Sequence, residues 1–145
     1  MSVVEQASID PWWTPREPWV HSSDVGIEVQ CVTSGADDDS LVVVLSGASM
    51  MNQVGVMQEF ARAFQFPDYF GNNWSALEDC LQDLSWLPPR SKYLTVITER
   101  DLLLKESGKR DKILLMDTLE SVGSVWSTLG HGNGPVAFNV ILMDS

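Results

Sequence analysis

Between residues 63 and 89 the chain carries four carboxylates, Asp68, Glu78, Asp79 and Asp83, and no lysine or arginine. A stretch that excludes one sign of charge projects a field of the other. Three of these acids fall where the sequence has helical periodicity. At about 100° per residue, Leu77, Cys80, Leu81 and Leu84 gather on one side, and Ser75, Glu78, Asp79, Gln82 and Asp83 on the other. Ser75, Asp79 and Asp83 follow one another at i, i+4 and i+8. Neighbouring carboxylates without an interleaved base repel one another, and toward a helix C-terminus the macrodipole opposes them too. Such a face can simply be solvated, although solvated faces usually mix signs. It can instead meet the guanidinium and ammonium groups of a cationic partner. A general acid–base pair is the third use, but no histidine or metal-ligand cluster accompanies it. Asp79 and Asp83 alone do not make a calcium site, which needs ~6–8 oxygen ligands from a shaped loop.

Other residues able to do chemistry are scattered. Cys31 and Cys80 are far apart, and neither belongs to a CxxC or Cys/His spacing, so neither a disulfide framework nor a zinc site is indicated. Cys80 falls on the apolar stripe and reads as a small buried hydrophobe, not a nucleophile. His21 and His131 are isolated. The glycine-rich loop at residues 130–134 precedes a strand, whereas phosphate-cradling loops precede helices, so it reads as a connection. Trp12, Trp13 and Trp19 sit among Pro11, Pro15 and Pro18. These indoles either dock on the domain and cover apolar surface or form a second binding patch.

The whole chain agrees with a cationic partner. It has 145 residues and a formal net charge of −11. That charge argues against nucleic acid or an anionic membrane as the partner, since both repel carboxylates. The start of the chain has neither the basic residue nor the apolar core of a secretory signal, so a reducing cytoplasm is the expected compartment. No apolar run approaches the ~20 residues needed to cross a bilayer.

The elements that would position the acid face are readable in outline. Residues 1–22 form an arm that the prolines keep irregular. Residues 23–33 are ambiguous: Val25, Ile27, Val29 and Cys31 alternate like a strand, while Val25, Val29 and Val32 fit a helical face capped by Ser23 or Asp24. Residues 41–45 are uniformly aliphatic and read as a strand buried on both faces. Residues 52–64 read as a helix with Asn52 as cap, and residues 73–84 as the acid-faced helix. Residues 93–98 and 136–143 are strands, and residues 111–129 a long helix. Between residues 101 and 108 the sequence predicts a polar connection with at most one helical turn. Strands alternating with helices imply a parallel sheet joined by crossovers.

The run Phe66-Pro67-Asp68-Tyr69-Phe70-Gly71-Asn72-Asn73-Trp74-Ser75-Ala76-Leu77-Glu78-Asp79-Cys80-Leu81 resembles the signature of the barstar family, small acidic inhibitors of ribonucleases. The family pattern is Pro-acid-aromatic-aromatic-Gly-x-Asn, followed by a helix reading Ala-Leu-x-Asp-Cys-Leu. The flanks agree more loosely, over about residues 41–145. The resemblance implies an α/β fold with a small three-stranded parallel sheet flanked by helices, and leaves room for an added N-terminal element in residues 1–40. Longer relatives look like strand-then-helix there, which favours helix for residues 23–33 where local propensity favours strand.

The resemblance also implies a role for each position. Asp79 takes the central contact, standing in for a substrate phosphate in the cationic groove of a basic extracellular or toxin ribonuclease. Tyr69 and Asn73 match contacting loop positions, and Glu78 and Asp83 flank them. Two departures stand out. Ser75 occupies a position where a well-known relative has a second acid, and Glu78 one where it has a tryptophan. Charge is thus moved along the face and an aromatic contact is missing. The family's acid on the last helix has no placed counterpart; Glu120 is a guess at it. The expected function is a cytoplasmic inhibitor or immunity protein with no catalysis and no cofactor. Its alternatives are a module of the same fold docking on a different basic protein through the tryptophans, or an enzyme using Asp79 and Asp83.

Overall fold

The computed structural model describes residues 10–23 and 26–144. The first nine residues of the arm, Asp24 and Val25 of the ambiguous segment, and Ser145 lie outside the described residues. Strands β1 (Val20–Ser22), β2 (Ser40–Ser46), β3 (Lys92–Thr98) and β4 (Ala137–Leu142) alternate with helices α1 (Val29–Thr33), α2 (Gln53–Ala63), α3 (Trp74–Asp83) and α4 (Lys109–Leu129). The strands make one sheet in the order β1-β4-β3-β2, every pair parallel. Register is set by the apolar rows: Leu41 lies opposite Tyr93 and Tyr93 opposite Phe138, while Val20 lies opposite Val140.

Each face of the sheet has its own cover. Leu45, Tyr93, Ile97, Phe138 and Val140 point toward α2, α3 and α4, where Phe60, Phe64, Leu77, Leu81, Leu119 and Trp126 meet them. At roughly 1.5–3 kcal/mol for each large apolar side chain taken out of water, this layer supplies most of the driving force for folding. The other face packs Leu94, Val96 and Ile141 against Trp13, Val32 and Met143. Asn139, fully buried on that face, accepts a hydrogen bond from His21 Nε2 at 3.0 Å and donates to the Thr14 carbonyl at 2.9 Å. The N-terminal segment is therefore pinned by polar as well as apolar contacts.

This arrangement corrects several expectations. The sheet has four strands where three were expected, and the fourth comes from the end of the arm. Beyond Pro18 the backbone regains its N–H groups, and Val20, His21 and Ser22 pair with β4. Three residues are too few to show strand periodicity. Within the 23–33 segment the structure makes a helix, α1, whose Val29 and Val32 reach the back of the sheet while Cys31 is exposed. The alternation seen in the sequence is overridden by that packing. The uniformly aliphatic β2, expected to be buried on both faces, lies at the sheet edge with Val44 47% exposed. The polar connection after β3 makes one 3-10 turn and then buries Leu103 and Leu104, the latter donating to the Met50 carbonyl at 2.7 Å.

The tryptophans of the arm dock on the domain. Trp13 is 7% exposed, and the Trp12 indole donates to the Val32 carbonyl at 2.8 Å. Trp19 lies so close to α4 that a Cβ on Gly123 would sit 2.4 Å from its Cγ. Only glycine permits that approach.

Candidate functional site

Helix α3 starts where it does because Asn73, in an extended conformation, places its side-chain oxygen 2.8 Å from the Ala76 N–H. Asn72, the residue before, is left-handed (φ 55°), a region asparagine tolerates better than most residues. The helix ends at Leu84, also left-handed, whose N–H reaches the Cys80 carbonyl at 3.1 Å. Leu77, Cys80, Leu81 and Leu84 are buried, so the apolar stripe faces the core as its spacing demands. The Trp126 indole donates to the Leu81 carbonyl at 2.8 Å and fixes the C-terminal half of α3 against α4.

The preceding loop sorts its aromatic residues by the same logic. Phe66 packs edge-on against Phe70 at 4.8 Å and against Trp86 at 5.9 Å, and the Trp86 indole donates to the Phe64 carbonyl at 2.9 Å. With Phe66 and Phe70 turned inward, Tyr69 points out and is 72% exposed. The loop is thus a rigid mount for Tyr69 and Asn73.

On the outer side of α3, Ser75, Asp79 and Asp83 are all exposed. Among the described residues the ion pairs are Glu59–Arg62, Asp37–Lys92 and Asp144–Arg100, and none engages an acid of α3. Glu78 differs from its neighbours. It is half-buried and accepts hydrogen bonds from Gln82 Nε2 and from Ser121 Oγ of α4, each at 3.3 Å. The structure therefore brings Ser75, Asp79 and Asp83 together as a free anionic ridge, sets Tyr69 and Asn73 at its N-terminal end, and turns Glu78 toward α4. The Cys80 thiol beneath is pushed above its ordinary pKa by burial first and by the negative charges of Asp83 and Asp79 second, which leaves it a protonated core residue.

One acid escaped the sequence reading. Asp117 is exposed and stands four residues before Ser121, on the helical row of α4 whose hydroxyl meets Glu78. Glu120, the guess made from the resemblance, stands three residues after Asp117 and is half-buried. The i, i+4 spacing was visible in the sequence, but which row of α4 meets α3 was not. His131 is exposed and spends Nε2 on the Arg90 carbonyl at 2.8 Å, with its ring edge-on to Trp126 at 4.9 Å. No three His, Cys, Asp or Glu side chains converge on a metal-sized point among the described residues. Nor is any helix among them long and apolar enough to cross a membrane.

Fold and site together define a parallel α/β protein presenting an uncompensated acidic helix beside an aromatic loop. The chain matches the family described as Barstar (barnase inhibitor) over residues 40–142, and it belongs to that family. The match begins at β2, so β1, α1 and the tryptophan segment precede it. No curated protein matches the chain. Barstar-family proteins are inhibitors that bind a ribonuclease.

Proposed function

We propose that this chain inhibits a basic extracellular or toxin ribonuclease by laying the ridge of α3, with Tyr69 and Asn73, into the enzyme's cationic substrate groove. Asp79 takes the place of a substrate phosphate and accepts charge-assisted hydrogen bonds from arginine, lysine or protonated histidine of the enzyme. Asp83 and Asp68 extend the negative field, with Asp117 carrying it onto α4. Glu78 holds α3 on α4 and contributes charge more than contact. A field of this kind raises association to as much as ~10⁸–10⁹ M⁻¹s⁻¹ at low salt, a range set partly by the barnase–barstar pair itself. As an immunity protein the chain would act in the cytoplasm of the cell that makes the toxin.

The observation that carries this reading is that Asp79 is exposed and free of any ion pair, inside a contiguous family motif. A nuclease groove lined with cations is the surface such a carboxylate fits. The test is RNA cleavage by a panel of basic ribonucleases, barnase included, with and without an equimolar amount of the chain. Stoichiometric inhibition of at least one member is expected, and it should be lost in Asp79→Ala. Full cleavage throughout the panel would refute the reading.

A further inference from the structure

The sheet has two edges, and they are protected unequally. At one, β1 offers only three residues, and a short edge strand is itself a defence against further pairing. At the other, β2 runs for seven residues, Ser40–Ser46, with no proline, lysine or any other charge to blunt it. Its backbone divides by parity. The Leu45 carbonyl faces β3, where it accepts from Thr98 Oγ1 at 3.3 Å. The Ser40 N–H donates instead to the Asp37 carbonyl at 3.1 Å, and the Ser46 N–H to Glu59 Oε2 at 3.2 Å. Odd residues of β2 therefore turn their N–H and C=O groups to β3, and even residues turn theirs outward. The chain closes the two end positions itself. Between them, the N–H and C=O groups of Val42 and Val44 have no partner among the described residues. The side chains leave the same gap. Val44 lies beside Val96 on the back face of the sheet, yet Val96 is fully buried and Val44 is exposed, so the cover of that face stops one strand short of the edge.

We propose that β2 pairs antiparallel with β2 of a second copy of this chain, about a two-fold axis at Val43, joining the two four-stranded sheets into one. In this register Val42 of each copy stands opposite Val44 of the other, and such a pair exchanges both of its N–H···O=C bonds. Every open group of the edge is then used. Each Val44 side chain also gains the other copy's Val42 as a neighbour on the same face. The pairing is self-complementary and closed, so it ends at two copies. Charge makes this the side on which copies can meet. Two chains of formal charge −11 repel one another, but from Ser40 to Gln58, through β2, the turn after it and the first turns of α2, there is no charged residue. The acids that close the two ends of β2, Asp37 and Glu59, are already paired with Lys92 and Arg62. The seam leaves the acidic ridge free, because α3 packs on α4 while α2 is the helix over β2. The inference therefore stands whether or not the chain inhibits a ribonuclease.

Sedimentation velocity over a concentration series tests the pairing. The parent should pass from monomer to dimer, and added salt should favour the dimer by screening the repulsion between copies. Val44→Lys, which supplies the charge that natural edge strands carry, should raise the dimer Kd at least tenfold. Ile113→Lys makes the same change of charge at an exposed residue of α4 and should dimerise like the parent. Hydrogen exchange of the parent reads the bonds without any substitution: the Val42 and Val44 amides should exchange more slowly as concentration rises. A parent that is monomeric at every concentration overturns the proposal, whether or not a strand of another protein then takes the edge. So does a dimer that survives Val44→Lys, one that salt dissociates, or one whose Val42 and Val44 amides gain no protection.

Discussion

Two regions of this molecule each concentrate one residue type, tryptophan in the N-terminal segment and acid on α3, and the structure disposes of them in opposite ways. The tryptophan segment turns its indoles inward. Trp13 closes the back of the sheet and Trp12 and Trp19 bind a carbonyl and a glycine notch. On α3, Asp79 and Asp83 turn outward and enter none of the ion pairs among the described residues, while Glu78 alone is held, by Gln82 and Ser121. Three carboxylates elsewhere are held by cations. Glu59 is clasped by Arg62 and the Ser46 N–H, Asp37 by Lys92, and Asp144 by Arg100. An apolar group left in water has a ready alternative in any uncovered sheet face. A carboxylate has none unless a cation or donor lies within reach, and residues 63–89, which hold α3 and its flanks, contain no lysine or arginine. The excess that the chain can consume itself is structural, and the excess it does not consume is left at the surface, where the proposed function places a partner.

Truncation should separate the two regions most sharply. Trp13→Ala removes a buried indole and should cost about 3–5 kcal/mol of stability in urea unfolding, while the fraction that remains folded binds its ribonuclease with the parent affinity. An affinity that fell with stability would join the two regions into one interface. Asp79→Ala should do the reverse. We expect binding weakened by at least about 2 kcal/mol, as central contacts are when truncated, with no loss of thermal stability. Asp79→Asn, which relieves repulsion and the unfavourable helix dipole, should stabilise the free protein by about 0.3–0.5 kcal/mol. A lower melting temperature for Asp79→Asn would show that the ridge serves the fold after all.

Smaller effects test the electrostatics. Asp83→Asn should slow association several-fold at low salt and hardly at all at high salt, because exposed charges act through a field that ions screen. Stopped-flow rates indifferent to salt would remove Asp83 from the docking face. The acids outside the ridge should show themselves in stability instead. The Arg62 guanidinium, with the Ser46 N–H, holds the Glu59 carboxyl below its ordinary 4.5 despite partial burial. A carboxyl depressed in the folded state stabilises fully above its unfolded pKa and loses that contribution as pH falls through the folded one. The stability gap between the parent and Glu59→Gln should accordingly be constant above pH 5 and close progressively below about 4.5. A gap unchanged down to pH 3 would mean the clasp is not formed in solution.

Much of this was legible from the amino acids in order. The apolar spacing of Leu77, Cys80, Leu81 and Leu84 defines α3 within one residue at each end, because helical periodicity acts over a turn or two, whereas the Asn73 side chain that starts the helix was found only in the structure. The central strands and the long helix followed from the same short-range signals. What the chain hid was decided at long range. Strand β1 is three residues that become a strand only because Val140, more than a hundred positions away, offers them a free edge. The 23–33 segment alternates like a strand in sequence, yet its last part, Val29–Thr33, is a helix whose Val29 and Val32 pack on the back layer. Glu78 looked like one more acid of the ridge, and only its distance to Ser121 shows that it faces α4.

The sequence by itself settled the composition of the acid face, its amphipathic helix and its family motif, since charge content and helical period are local properties that no packing can alter. The tertiary structure decided which of those acids stay unpaired, where the tryptophans are spent and which row of α4 borders the ridge. Those are questions of contact between segments distant in the chain, and contact exists only once the two faces of the sheet have each found their cover.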